Sequence, residues 1–356
     1  MSKNLFRTFK LGDLPLSNRM VMAPMTRNRA NEKGLVSDIM VIHYQQRATA
    51  GLIITESVPI SAQAAGYPNT PGLFTKAQAD SWRPLIDAVH TEGGSIFAQL
   101  QHCGRISHSC MQPDNTLPVA PSAIRANGQA VTYAGMMDFE IPRSLDSQEI
   151  PGIVEQFRFG AEMAKYAGFD GIEVHGANGY IIDQFLRDGS NQRSDNYGGT
   201  VKNRIRLLNE ILDQVCTVWS ADRVGIRLSP ENSFNSMLDS KPQKHFEYFI
   251  EQLNTRNLAY LHVLEGDMTG ETNQVDYSAL RARFSGTYIV NNGYNLEKAQ
   301  TAIKNGDADL VAFGIPFLAN PDLVYRYSQN LPLNEADPAT FYGGNEVGYT
   351  DYPFYS

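Results

Sequence analysis

Thr26, Gln99, His175 and Arg227 are polar side chains set where short apolar runs finish: after Met20 to Pro24, inside Ser95 to Leu100, after Gly171 to Val174, and inside Val224 to Leu228. A carboxamide or guanidinium buried in a strand without a partner costs about 1–3 kcal/mol or more. Any one of the four reads most simply as a residue satisfied by its neighbours, and His175 alone as a neutral histidine capping a strand. Together at strand ends they suit a bound polar ring. Two more apolar runs end in Val290-Asn291-Asn292-Gly293 and Phe313-Gly314-Ile315-Pro316. Glycines there let backbone N–H groups approach a phosphate, although Gly after a strand is also ordinary turn chemistry.

The elements that must position these groups follow from the runs themselves. Eight recur: Met20 to Pro24, Leu52 to Thr55, Ser95 to Leu100, Gly171 to Val174, Val224 to Leu228, Tyr260 to Leu264, Thr287 to Val290, and Leu310 to Phe313. Between them lie helical periods such as Ile205, Leu208, Leu212 and Val215, or Phe246, Phe249, Ile250 and Leu253. That spacing puts apolar side chains on one helix face. Eight strands alternating with helices predict an α/β protein with a closed (β/α)8 TIM barrel. A doubly wound sheet would carry G-x-G-x-x-G after its first strand, and that motif is missing after Met20 to Pro24. Lys10 to Leu16, with Gly12-Asp13 between apolar residues, predicts an N-terminal β-hairpin beneath the barrel. Residues 107–146, rich in Pro, Ser, Asn and Gly, are too long for a simple connection. They predict an excursion after strand 3, walling or covering the pocket. Residues 331–356 are expected to dock as a C-terminal tail, and residues 1–356 to form a single domain.

Composition bounds the partners. The 356 residues are 42% hydrophobic with net charge −8 and no block of like charge, which argues against a nucleic-acid surface. The first six residues, Met1 to Phe6, lack a signal-peptide pattern, and no run is long and apolar enough to span a bilayer. The expected location is cytoplasmic. Three cysteines, Cys103, Cys110 and Cys216, have neither CxxC nor zinc spacing, so neither disulfides nor a metal is expected.

Longer motifs are more specific. Ala23-Pro24-Met25-Thr26, Ala98-Gln99-Leu100, Val174-His175-Gly176-Ala177-Asn178-Gly179-Tyr180, Ser190-Asn191-Gln192-Arg193-Ser194-Asp195-Asn196-Tyr197-Gly198-Gly199, Ala319-Asn320-Pro321-Asp322-Leu323 and the tail from Phe341 to Pro353 resemble the old yellow enzyme family, in the family's order. The resemblance implies non-covalent FMN at the barrel mouth, reduced by NADPH or NADH and reoxidised by a small activated alkene or nitro compound, in ping-pong fashion, by a monomer or homodimer. It implies flavin contacts from Pro24, Met25, Thr26, the Ser57 backbone, Gln99, Arg227, Asn292, Gly293, Gly314 and Ile315. Thr26 is similar to the hydroxyl that tunes the flavin potential, and Arg227 to the cation beside the pyrimidine edge. His175 and Asn178 resemble the two donors to the substrate oxygen, and Tyr180 the acid that protonates the alpha carbon. Tyr67, Gln101 and Tyr342 match positions that shape the substrate pocket.

Two positions depart from the family pattern. Ile315 stands where the family typically has an Arg gripping the FMN phosphate, a loss of about 1.5–3 kcal/mol unless other groups compensate. Gln101 stands where a bulky Trp is common, so a wider, wetter pocket that tolerates bulkier alkenes is expected. These departures motivate an alternative, a degenerate flavin-binding barrel with weak or no reductase activity. A lyase or aldolase built on a Schiff-base lysine would need a Lys at a strand end, and none stands there.

Overall fold

A parallel strand pair cannot close through a tight turn, so each strand of a parallel barrel must be followed by a crossover, usually a helix. The computed structural model follows that pattern; it describes residues 4–270 and 274–355, so that Met1 to Lys3 of the stretch considered above lie outside it. The chain begins with the hairpin β1 (Phe9–Leu11) and β2 (Leu14–Leu16), turned through Gly12 at φ +56. From it Leu11 and Leu16 pack against Val21, Leu52, Phe97, Tyr260 and Leu310 and plug the barrel floor.

Strands β3 (Met20–Met22), β4 (Leu52–Pro59) and β5 (Ile96–Gln101) start the barrel. The chain then leaves it for an excursion in which β6 (Val119–Ala120) pairs with β9 (Arg143–Ser144), and β7 (Gln129–Thr132) with β8 (Gly135–Asp138). It returns through β10 (Gly171–His175), β11 (Val224–Leu228), β12 (Tyr260–Leu264), β13 (Tyr288–Asn291) and β14 (Leu310–Phe313), and β14 pairs with β3 to close an eight-stranded parallel barrel. Two strands differ from expectation by more than one residue at an end. The first strand stops at Met22, because Pro24 has no N–H to continue the ladder. The second runs on to Pro59 through a register shift between Ile54 and Ser57, which sets Ser57 opposite Gln99.

Helices surround the barrel: α1 (Asp38–Gln46), α2 (Lys76–Thr91), α3 (Ile150–Ala167), α4 (Ile181–Leu186), α5 (Val201–Arg204), α6 (Arg206–Val218), α7 (Pro242–Asn254), α8 (Tyr277–Ala282), α9 (Leu296–Asn305), α10 (Ile315–Ala319) and α11 (Leu323–Ser328). Their apolar faces meet the outward residues of the strands, as Leu208, Leu212 and Val215 of α6 do within the core that holds Ile172 and Val174. Thr75 and Gln78 form a reciprocal capping box at the start of α2, a device worth about 1 kcal/mol. Among the described residues no helix is long and apolar enough to cross a membrane.

Candidate active site

Strand alternation divides β10 between two environments: Ile172 and Val174 join the outer core, while Glu173 and His175 face the barrel interior. Beyond His175 the chain must reverse sharply. Asn178 and Gly179 both take positive φ, +59 and +78. Gly179 is required twice over, since a Cβ there would lie 2.7 Å from the Asn235 side chain. The reversal brings the Tyr180 ring to 5.1 Å from that of His175. Ser229 Oγ accepts from the Asn178 N–H at 2.8 Å, and Asn235 Nδ2 donates to the Asn178 carbonyl at 2.8 Å. Asn232 Nδ2 donates to Asn178 Oδ1 at 2.9 Å. With its oxygen committed, the Asn178 carboxamide has its NH2 left to offer.

Electrostatics set the protonation states. Burial first, then Arg227 and His262, hold His175 well below its ordinary pKa, so the ring is neutral; its buried Nδ1 has no hydrogen-bond partner among the described residues. Burial raises the Tyr180 phenol well above its usual value, and the proton stays on at neutral pH. Its hydroxyl lies 3.0 Å from that of Tyr67, with the two rings edge to face. Ala126, Ala130 and Phe139 of the excursion pack into the same cluster as Tyr180, Tyr67 and Cys103. The Tyr133 hydroxyl at the tip of the β7–β8 hairpin accepts from the Asn69 N–H at 3.3 Å.

A cavity of about 10 Å³, room for about one water, is lined by Thr26, Ser57, Tyr67, Gln101 and Cys103 among others. Gln101 is buried, with Nε2 donating to Cys103 Sγ at 2.9 Å and Oε1 unpartnered among the described residues. Ser57 Oγ donates to Gln99 Oε1, and Arg227 Nη2 donates to Asn291 Oδ1 at 2.7 Å while its buried Nε finds no partner among the described residues. Pro24 is buried, and Met25 and Thr26 are half-buried. Tyr342 is 64% exposed, and the neighbouring Gly343 N–H bonds to the Arg27 carbonyl at 2.9 Å.

Across the mouth, Asn292 (φ +84) donates from Nδ2 to the Glu265 carbonyl at 2.8 Å, while Gly293 and Gly314 face open space with nothing within 4 Å of an added Cβ. Ile315 begins α10 and is 52% exposed. The structure thus gathers His175, Asn178, Tyr180 and Tyr67 into one cluster, and Thr26, Ser57, Gln99 and Arg227 beside it. Ser229, Asn232, Asn235, Glu173 and His262 were not anticipated, and Asn291 entered only as part of the run that ends the seventh strand. A Glu and a His inside predicted strands were the available signal for two of them.

Comparison with known proteins bears on this mouth. The model of the NADH:flavin oxidoreductase / NADH oxidase family matches residues 4–334. A probable flavin mononucleotide-dependent alkene reductase of Leishmania infantum is 42% identical over 355 residues, covering 98% of this chain and 97% of its own. The structure of morphinone reductase in complex with tetrahydroNAD superposes with a TM-score of 0.94 at 45% identity, covering 99% of this chain and 98% of that one. An old yellow enzyme homologue from Zymomonas mobilis gives 0.96 at 40% identity, over 98% and 99%.

Proposed function

The chain belongs to the old yellow enzyme family, and from that membership we propose that it is an FMN-dependent reductase of activated C=C bonds, in α,β-unsaturated carbonyl or nitro compounds, with NADPH or NADH as reductant. The residues present suit the group: Arg227 Nε is buried without a partner among the described residues, and Gly293 and Gly314 leave room for close backbone approach. FMN when bound supplies two-electron hydride chemistry. Pro24, Met25, Thr26, Ser57, Gln99, Arg227, Asn292, Gly293, Gly314 and Ile315 are assigned to holding it.

The chain's own work is at the other face. Adding hydride to a polarised alkene sends negative charge to the carbonyl or nitro oxygen, and that oxygen needs donors. The neutral His175 ring and the free NH2 of Asn178 provide them in a water-poor pocket, where aimed dipoles act strongly. Tyr180 Oη gives its proton to the alpha carbon, and Tyr67 Oη, 3.0 Å away, stabilises the phenolate left behind. Tyr67, Gln101 and Tyr342 shape the entrance. The two substrates take turns at one mouth, which makes the kinetics ping-pong.

The observation that carries this reading is a protonated, buried phenol clustered with a neutral imidazole and a carboxamide whose oxygen is already engaged. The purified protein is expected to be yellow, to bleach with NADPH without oxygen, and to regain colour with cyclohexenone. A colourless protein that ignores added FMN would overturn the flavin assignment. Bleaching without recovery by any enone or nitroalkene would favour the degenerate barrel instead.

A further inference from the structure

Below the mouth lies a carboxylate for which the reduction has no direct use. Glu173 and His262 are both fully buried inside the barrel. Strand register sets Glu173 beside Gln99 of β5, and Arg227 beside both His175 and His262. Gln99 Nε2 donates to Glu173 Oε1 at 2.7 Å, and His262 Nδ1 lies 2.8 Å from Oε2. An ionised carboxylate only accepts hydrogen bonds. The Gln99 amide must therefore turn its NH2 to Glu173, which leaves Oε1 facing Ser57, a residue lining the mouth cavity. His262 must likewise carry its proton on Nδ1.

Both donors to Glu173 are neutral groups, so neither cancels its charge. Burial raises the Glu173 pKa, but His262, Arg227 and Gln99 together hold it below the ordinary carboxylate range, and it is ionised. Burial also lowers His262, with Arg227 adding to that, against the pull of Glu173. The full cation that faces this carboxylate is Arg227, whose own charge Glu173 favours and whose bond runs to Asn291 instead.

The geometry points to Glu173 as a positioning residue that acts on the bound flavin through its neighbours, fixing the polarity of the Gln99 amide and offsetting the charge of Arg227. This rests on the flavin assignment above. Reduction of a flavin held there would place negative charge near Arg227, and a carboxylate below that cation would weaken its help. Glu173 thus holds the flavin at a lower potential than Arg227 alone would set.

Glu173→Gln isolates the charge. Its carbonyl still accepts from Gln99, and its NH2 can donate to His262 Nδ1 once that ring shifts its proton to Nε2. The midpoint potential of the bound flavin, measured by dye equilibration, is expected to rise by about 30 mV or more, tenfold for a two-electron couple. FMN affinity, followed by fluorescence on reconstitution of the apoprotein, should stay within about threefold. Glu173→Asp, which keeps the charge, should hold the potential near that of the parent. If E173Q fails to fold, the paired Glu173→Gln, His262→Gln protein keeps complementary amides and should show the same positive shift. An unchanged or lower potential in a yellow, folded variant overturns the inference. A parent protein that holds no FMN overturns the flavin assignment itself.

Discussion

Tyr180 is the residue whose role can be separated most sharply from its neighbours'. It is buried, keeps its proton, and touches the Tyr67 hydroxyl, so a phenylalanine there removes one O–H and little volume. Tyr180→Phe should slow flavin reoxidation by cyclohexenone by roughly a hundredfold or more. Reduction of the flavin by NADPH should stay within about twofold. Stopped-flow measurement of the two half-reactions checks this, and equal loss in both would refute the proton-donor assignment. The motif from His175 to Tyr180 was legible in the sequence because its residues are consecutive. Asn232, which sets the Asn178 amide, was not, since 54 positions separate the pair. Gln101 was expected to widen and wet the pocket. Its side chain is buried against Cys103, with an oxygen unpartnered among the described residues and room for about one water beside it.

At the scale of elements, the end of the chain folds back over the barrel on a cluster of arginines. Arg27 Nε donates to the Phe341 carbonyl at 2.8 Å and Nη2 to that of Gly348 at 2.9 Å, while Arg29 Nη2 donates to that of Thr340 at 3.0 Å. Tyr349 is fully buried, stacked 3.9 Å from His43, with the Arg29 guanidinium 4.3 Å from its ring. This cluster carries Tyr342 to its place at the rim. Glu56 of β4 sits beneath it, and burial pushes its pKa from 4.5 up to about 7, against the opposing pull of Arg27 and Arg29. Between those values the folded state binds more protons than the unfolded chain, so stability falls as pH rises from about 4.5 to about 7 and levels off above. The shift is worth on the order of 3 kcal/mol. Glu56→Gln cannot ionise and should lack that decline. Melting temperatures of both proteins from pH 5 to 8 test this, and parallel profiles would contradict it. The sequence predicted a tail that docks but not the buried arginines that receive it, because Arg27 and Arg29 look like ordinary surface charges until the ends of the chain meet.

For the whole molecule, a barrel closed by β14 against β3 makes the mouth the joint product of all eight strands, and a ligand held there stabilises the entire fold. At free FMN a hundredfold above its Kd, the gain is about 2.7 kcal/mol. Apoprotein prepared by stripping the flavin should therefore melt below the holoprotein, with the melting temperature climbing as FMN is added. A melting temperature indifferent to FMN would mean that the mouth does not hold it. With Ile315 and Gly314 assigned to the FMN phosphate as proposed above, the FMN concentration that this titration requires reports the overall affinity left without an arginine at position 315.

The sequence by itself determined the eight-strand period, the hairpin below the barrel, and the polar residues that end its strands, because alternation and turn chemistry act over a few neighbouring residues. It also kept His175, Asn178 and Tyr180 close together, since six consecutive residues span all three. Only the tertiary structure decided which polar groups satisfy one another: Gln99 with Glu173, Glu173 with His262, Asn178 with Asn232. Those pairings depend on strand register and barrel closure, which bring together residues that no local pattern connects. For the same reason, the charges beneath the mouth became legible only once the barrel was closed.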